Sequence, residues 1–187
     1  MNLSRAALGG VVVVVISLAA GSIAAQSKPP AASENPISQA IRTAWDGAKR
    51  NVNQSAEQMP EANFAFKPTD QVRTFGEILA HVAGANYVFC SAARGETSPF
   101  AEDHFEKLGK AKADIVKALS ESMAYCDAAY TSLTDRSAAE SITMPFGMGN
   151  ASRASALINN AGHLQEHYGN LVTYFRIKGI VPPSSRR

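Results

Sequence analysis

Residues 150–179 read N-A-S-R-A-S-A-L-I-N-N-A-G-H-L-Q-E-H-Y-G-N-L-V-T-Y-F-R-I-K-G. Leu157, Ile158, Ala161, Leu164, Tyr168, Leu171, Val172 and Phe175 recur at helical spacing, which predicts a helix with one apolar stripe. It starts near Asn150 and stops at Gly179, with Pro182-Pro183 beyond. Such a stripe must be buried against partners.

Three further segments can supply them. Asn35-Pro36 opens the first helix as N-cap and first-turn proline, with Ile37, Ile41, Ala44, Trp45, Ala48 and Val52 on one face and an end near Met59. Thr74 and Glu77 form a capping box for the second, whose inner stripe is Phe75, Ile78, Leu79, Val82, Asn86 and Phe89; Gly95 closes it. Asp103 and Glu106 suggest the same box for a third helix, with Leu108, Ala111, Ile115, Leu119, Ser122, Cys126, Tyr130 and Leu133 facing inwards. No alternating strand pattern separates these segments. The fold class is therefore all-α, a four-helix bundle roughly 30 to 40 Å long. Connections at 60–73, 95–102 and 134–149 are long enough to run along it, so parallel neighbours are allowed.

Upstream, residues 1–25 combine Arg5, an apolar run from Ala6 to Ala20 and the small residues Ala24 and Ala25, the layout of a signal peptide cut after either alanine. The run is short for a membrane span, and the first cysteine, Cys90, lies too far downstream for lipidation. The expectation is an exported protein, periplasmic or secreted, with no stable membrane anchor after cleavage. Residues 26–34 are a flexible linker, 35–183 the bundle and 184–187 a tail. The whole chain of 187 residues is 45% hydrophobic and carries a formal charge of +2, which gives no footprint for nucleic acid and excludes a disordered chain. Pro145-Phe-Gly-Met-Gly149 lacks the lysine of a phosphate loop.

Four histidines are present: His81, His104, His163 and His167. His163 and His167 stand four residues apart on the fourth helix and so project from one face. His81, mid-way along the second helix, sits at a similar angle beside its own stripe, making it the candidate third donor to a divalent metal. A four-residue histidine spacing also arises in surface pairs that bind nothing. His104, in the first turn of the third helix, is expected to be exposed and uninvolved. Asn86, Asn160 and Gln165 are candidates to orient the imidazoles.

The surroundings of these histidines are more specific. The M-P-E, F-x-P-T and R-T-F-G-E-I-L-A-H elements within residues 59–81, and H-x-x-x-H-Y-G-N-L-V-x-Y-x-R over 163–176, resemble the DinB-like superfamily along about residues 36–183. That resemblance implies a bundle with a long crossover between helices 2 and 3 and a metal held by His81, His163 and His167. Zinc is the default; nickel, iron or manganese suit three imidazoles as well. An open position on a metal held by three imidazoles could activate a water or bind a thiolate, so the expectation is a metal-dependent hydrolase or transferase acting on a small molecule. A thiol S-transferase is one alternative, weakened by export away from cytoplasmic thiols, and a non-catalytic metal or small-ligand binder is another; a purely structural bundle is the third. Paired bundles are common among relatives, so a homodimer is compatible. Glu166 makes an H-x-x-E-H string with its neighbours and is a weak candidate for a general base.

Cys90 and Cys126 are the only cysteines. They would meet if helices 2 and 3 ran parallel, as the crossover implies; otherwise they are two buried thiols packed as small hydrophobes.

Overall fold

The computed structural model describes residues 34–108 and 111–186. The expected signal peptide at 1–25 and linker residues 26–33 lie outside them.

Four long helices carry the fold: α1 (Pro36–Gln58), α2 (Phe75–Arg94), α4 (Lys112–Thr131) and α6 (Arg153–Ile177). One-turn helices α3 (His104–Lys107) and α5 (Asp135–Ala138) lie in the connections. A short antiparallel hairpin of β1 (Ser141–Thr143) and β2 (Asn150–Ser152) precedes α6. No helix among the described residues is long and apolar enough to cross a membrane.

Residue pairs between helices give their directions. Asn86 meets Ser122, Cys90 is bonded to Cys126, and Ser91 meets Tyr125, so α2 and α4 run parallel. Arg42 reaches the carbonyl of Leu133, while Lys112 reaches those of Glu57 and Met59, so α1 and α4 run antiparallel. Phe75 packs on Phe175, and Arg153 donates to the Ala93 carbonyl, so α2 and α6 are antiparallel too. Two parallel neighbours joined by residues 95–111 constitute the long crossover. With the Cα atoms of Cys90 and Cys126 5.3 Å apart, the disulfide replaces the pair of free thiols.

The Thr74–Glu77 capping box starts α2, and Gly95, at φ 74°, supplies the left-handed residue that ends it. Packed between α4 and α6, α2 is buried around most of its circumference. Trp45 stacks on Tyr130 with ring centroids 4.4 Å apart, and its indole N–H donates to Asp127.

Several expectations need correction. Ile37, Ala44, Leu108, Ala111 and Ile158 are exposed, because each lies at the edge of its stripe or beyond the regular helix. Asp103 does not cap a long third helix: its carboxylate pairs with Lys107, and the chain leaves helical geometry at Leu108 before α4 begins. Residues 150–152 pair as a strand, so the last helix starts at Arg153, capped by the Ser152 hydroxyl. Asn35 precedes α1, but its side chain accepts the Asp135 N–H. Asp135 in turn accepts from the backbone N–H groups of Ile37 and Ser38. The tail stays attached beyond Pro183, since Ser184 hydrogen-bonds Tyr168.

Candidate metal centre

The antiparallel packing of α2 on α6 puts His81 opposite the face that carries His163 and His167. One ring nitrogen from each of the three lies within 4.8 Å of the others. His163 Nε2 is 3.1 Å from His81 Nε2 and 3.0 Å from His167 Nε2. His81 and His167 are buried and His163 is partly so, deeper than a groove beside the core implies.

Burial pushes His163 down to about 3 and His167 down to about 4. For His163 the neighbouring His167, His81 and Arg73 reinforce burial in disfavouring the cation; for His167, His81 and Arg73 do so against an opposing Glu106. Both imidazoles are therefore neutral at pH 7, and neutral imidazole is the metal-binding form.

The three nitrogens fit a metal for a second reason. An imidazole nitrogen has a single in-plane site, either an N–H or a lone pair. His163 Nε2 can therefore satisfy only one of its two close nitrogen neighbours by hydrogen bonding. A shared cation would satisfy three lone pairs together. Metal–nitrogen bonds of about 2.1 Å place adjacent donors about 3.0 to 3.4 Å apart, the range of the two closest separations.

Two crossover carboxylates adjoin His81. Glu106 lies 3.0 Å from Nδ1 and is gripped by Arg73, whose Nε is 2.9 Å away. An ionised Glu106 accepts the Nδ1 proton and leaves the Nε2 lone pair facing the cluster. Glu102 lies 3.7 Å from Nε2. On α6, the Asn170 side-chain amide is 3.5 Å from His167 Nδ1. Turned with its carbonyl inwards, that amide would accept a proton there.

The expected orienting residues do not do this work. Asn86 donates to Ser122 and Met123, and Asn160 donates to Tyr130 and the disulfide sulfurs, both deeper in the core. Gln165 is exposed. His104 lies outside the cluster but is half-buried rather than exposed, because it stacks on Phe100 at 4.6 Å. Glu106, Arg73, Glu102 and Asn170 were missed. The R-T-F-G-E element contained Arg73, but only the packed chain brings it onto Glu106.

A cleft of about 860 Å³ opens beside His167, bounded by Arg73, Glu166, Asn170, Thr173 and residues 67–72. Polar and apolar groups share its walls about equally, and Glu166 stands exposed in one of them.

The profile of the DinB superfamily matches residues 44–171. This chain belongs to the DinB superfamily. Among solved structures, a DinB-like protein from Bacillus cereus is 15% identical, with a TM-score of 0.65 over 78% of this chain and 95% of that one. YfiT from Bacillus subtilis, described as a probable metal-dependent hydrolase with an unusual four-helix bundle topology, is 17% identical. Its TM-score is 0.61 over 82% of this DinB chain and 94% of YfiT. A mycothiol-dependent maleylpyruvate isomerase is 15% identical, with a TM-score of 0.58 over 72% of this chain and 60% of the isomerase. At these identities the likeness concerns the fold. No curated protein matches the chain.

Proposed function

We propose that this protein holds one divalent transition metal, zinc by default, through His81, His163 and His167. The metal would serve a hydrolytic or transfer reaction on a small polar molecule. The observation that carries this is the convergence of three ring nitrogens within 4.8 Å, two of whose imidazoles are kept neutral by burial.

Bound there, a divalent ion would supply Lewis acidity, polarising a substrate carbonyl or lowering the pKa of a water or thiol. The chain's own residues supply the rest. Glu106, braced by Arg73, orients His81, while Asn170 adjoins His167. Glu166, Asn170 and Thr173 give the cleft hydrogen-bonding groups with which to orient a polar substrate. The Glu166 carboxylate is available there to take a proton from an incoming nucleophile.

Elemental analysis is the first test. Wild-type protein is expected to carry about one equivalent of transition metal and His163→Ala almost none; equal, negligible content in both would remove the basis of the reading. With metal present, ester, amide and thiol substrates screened against His81→Ala separate turnover from binding alone. A thiol S-transferase remains the second reading because one structural neighbour is a mycothiol-dependent isomerase.

Export is part of the proposal. It draws on residues 1–25 and the Cys90–Cys126 disulfide, a bond that persists in oxidising compartments. Cell fractionation and the mass of the mature N-terminus test it: a cytoplasmic protein retaining residues 1–25 would overturn it.

A further inference from the structure

Glu102 is set beside the histidine cluster by backbone packing. Residue 84 of α2 lies one turn beyond His81, and a Cβ there would collide with the Glu102 carbonyl. Glycine permits this approach, so the crossover backbone rests directly on the helix. Phe100 and Phe105, on either side of Glu102, both pack on Tyr87, at centroid distances of 4.9 and 5.8 Å. They hold the short segment at both ends.

The side chain so placed points its carboxylate at the nitrogen that faces the other histidines. Glu102 Oε1 is 3.7 Å from His81 Nε2, whereas Glu106 occupies the opposite ring nitrogen. No lysine or arginine pairs with Glu102 among the described residues. Its side chain is 38% exposed, so it keeps rotamer freedom and access to solvent. Two donors on one cation with bonds of about 2.1 Å stand about 3.0 to 3.4 Å apart. Glu102 is not among the three groups whose donor atoms lie within 4.8 Å of one another, so reaching a shared ion takes a rotation of this exposed side chain, of which a few tenths of an ångström bring it within that distance of His81 Nε2.

Resting on the metal-binding reading above, we propose that Glu102 is a fourth protein donor to the divalent ion, making the site three imidazoles and one carboxylate, with a substrate group entering as a fifth donor. The added negative charge offsets part of the ion's charge, and a hard oxygen joins three borderline nitrogens. The donor comes from the crossover segment, so metal uptake would tie that segment to α2 and α6.

Chelator competition with Zn(II) and visible spectroscopy of the Co(II)-loaded full chain test this. The variants are Glu102→Gln, which keeps side-chain size, and Glu57→Gln, which removes an exposed carboxylate of α1 outside the site. Glu102→Gln is expected to weaken Zn(II) binding at least tenfold and change the Co(II) spectrum, while Glu57→Gln matches wild type in both. Identical Zn(II) affinity and Co(II) spectra for wild type and Glu102→Gln would overturn the inference and leave the three-histidine reading intact. A wild-type protein that takes up neither ion would overturn both.

Discussion

His81 has a carboxylate beside each ring nitrogen, and only Glu106 is itself held, by Arg73. The Glu106 bond orients the ring, so Glu106→Gln should lower Zn(II) affinity about 10- to 100-fold. Chelator competition measures that loss, and the histidine ¹⁵N shifts should show a mixed His81 tautomer in the variant. At this scale the histidine pair was legible because four residues make one helical turn. Glu106 was misread because a carboxylate three residues after Asp103 matches a capping box, whatever it touches once folded. Asp103 paired with Lys107 instead, and Glu106 turned to another helix.

Helix ends and crosslinks act at the scale of elements. Asp135 holds the first turn of α1 through the N–H groups of Ile37 and Ser38, and these bonds keep its carboxyl below the usual aspartate range. The stabilisation is fully present above the ordinary aspartate pKa, about 3.9, and is lost as pH falls through the lower folded-state value. Asp135→Asn should therefore be less stable than wild type at neutral pH, with the difference shrinking in acid. Thermal unfolding from pH 7 to pH 3 measures it. The disulfide links α2 to α4 across a separation of 36 residues. A Cys90→Ala, Cys126→Ala double variant should lose about 3 to 4 kcal/mol, read as a lower urea midpoint with a steeper slope, because the unfolded chain without the crosslink exposes more surface. The four long helices were legible from their stripes and stops. The hairpin was not: three residues per strand are too few for an alternating pattern, and Asn150–Ser152 acquires its conformation from Ser141–Thr143.

For the whole molecule, the proposed metal binding would be linked to folding. The three histidines come from two helices, so an unfolded chain offers no preformed site. Zn(II) at a free concentration 100 times its Kd should add about 2.7 kcal/mol to stability. At about 2 to 4 °C per kcal/mol for a domain of this size, Tm should rise by roughly 5 to 11 °C and return with EDTA. Calorimetry of wild type beside His163→Ala checks this, because the variant should show almost no shift.

The sequence by itself determined the class of fold, the centre of the buried stripe of each long helix and the three histidines. Helical period, capping chemistry and residue type are local properties, visible without knowing the neighbours. The tertiary structure decided that α2 and α4 run parallel, that Cys90 and Cys126 are bonded, and that Glu106 and Glu102 adjoin His81. Each depends on which way the crossover runs and where it rests on α2. The collision at Gly84 and the aromatic contacts of Tyr87 settle that only once the chain is packed.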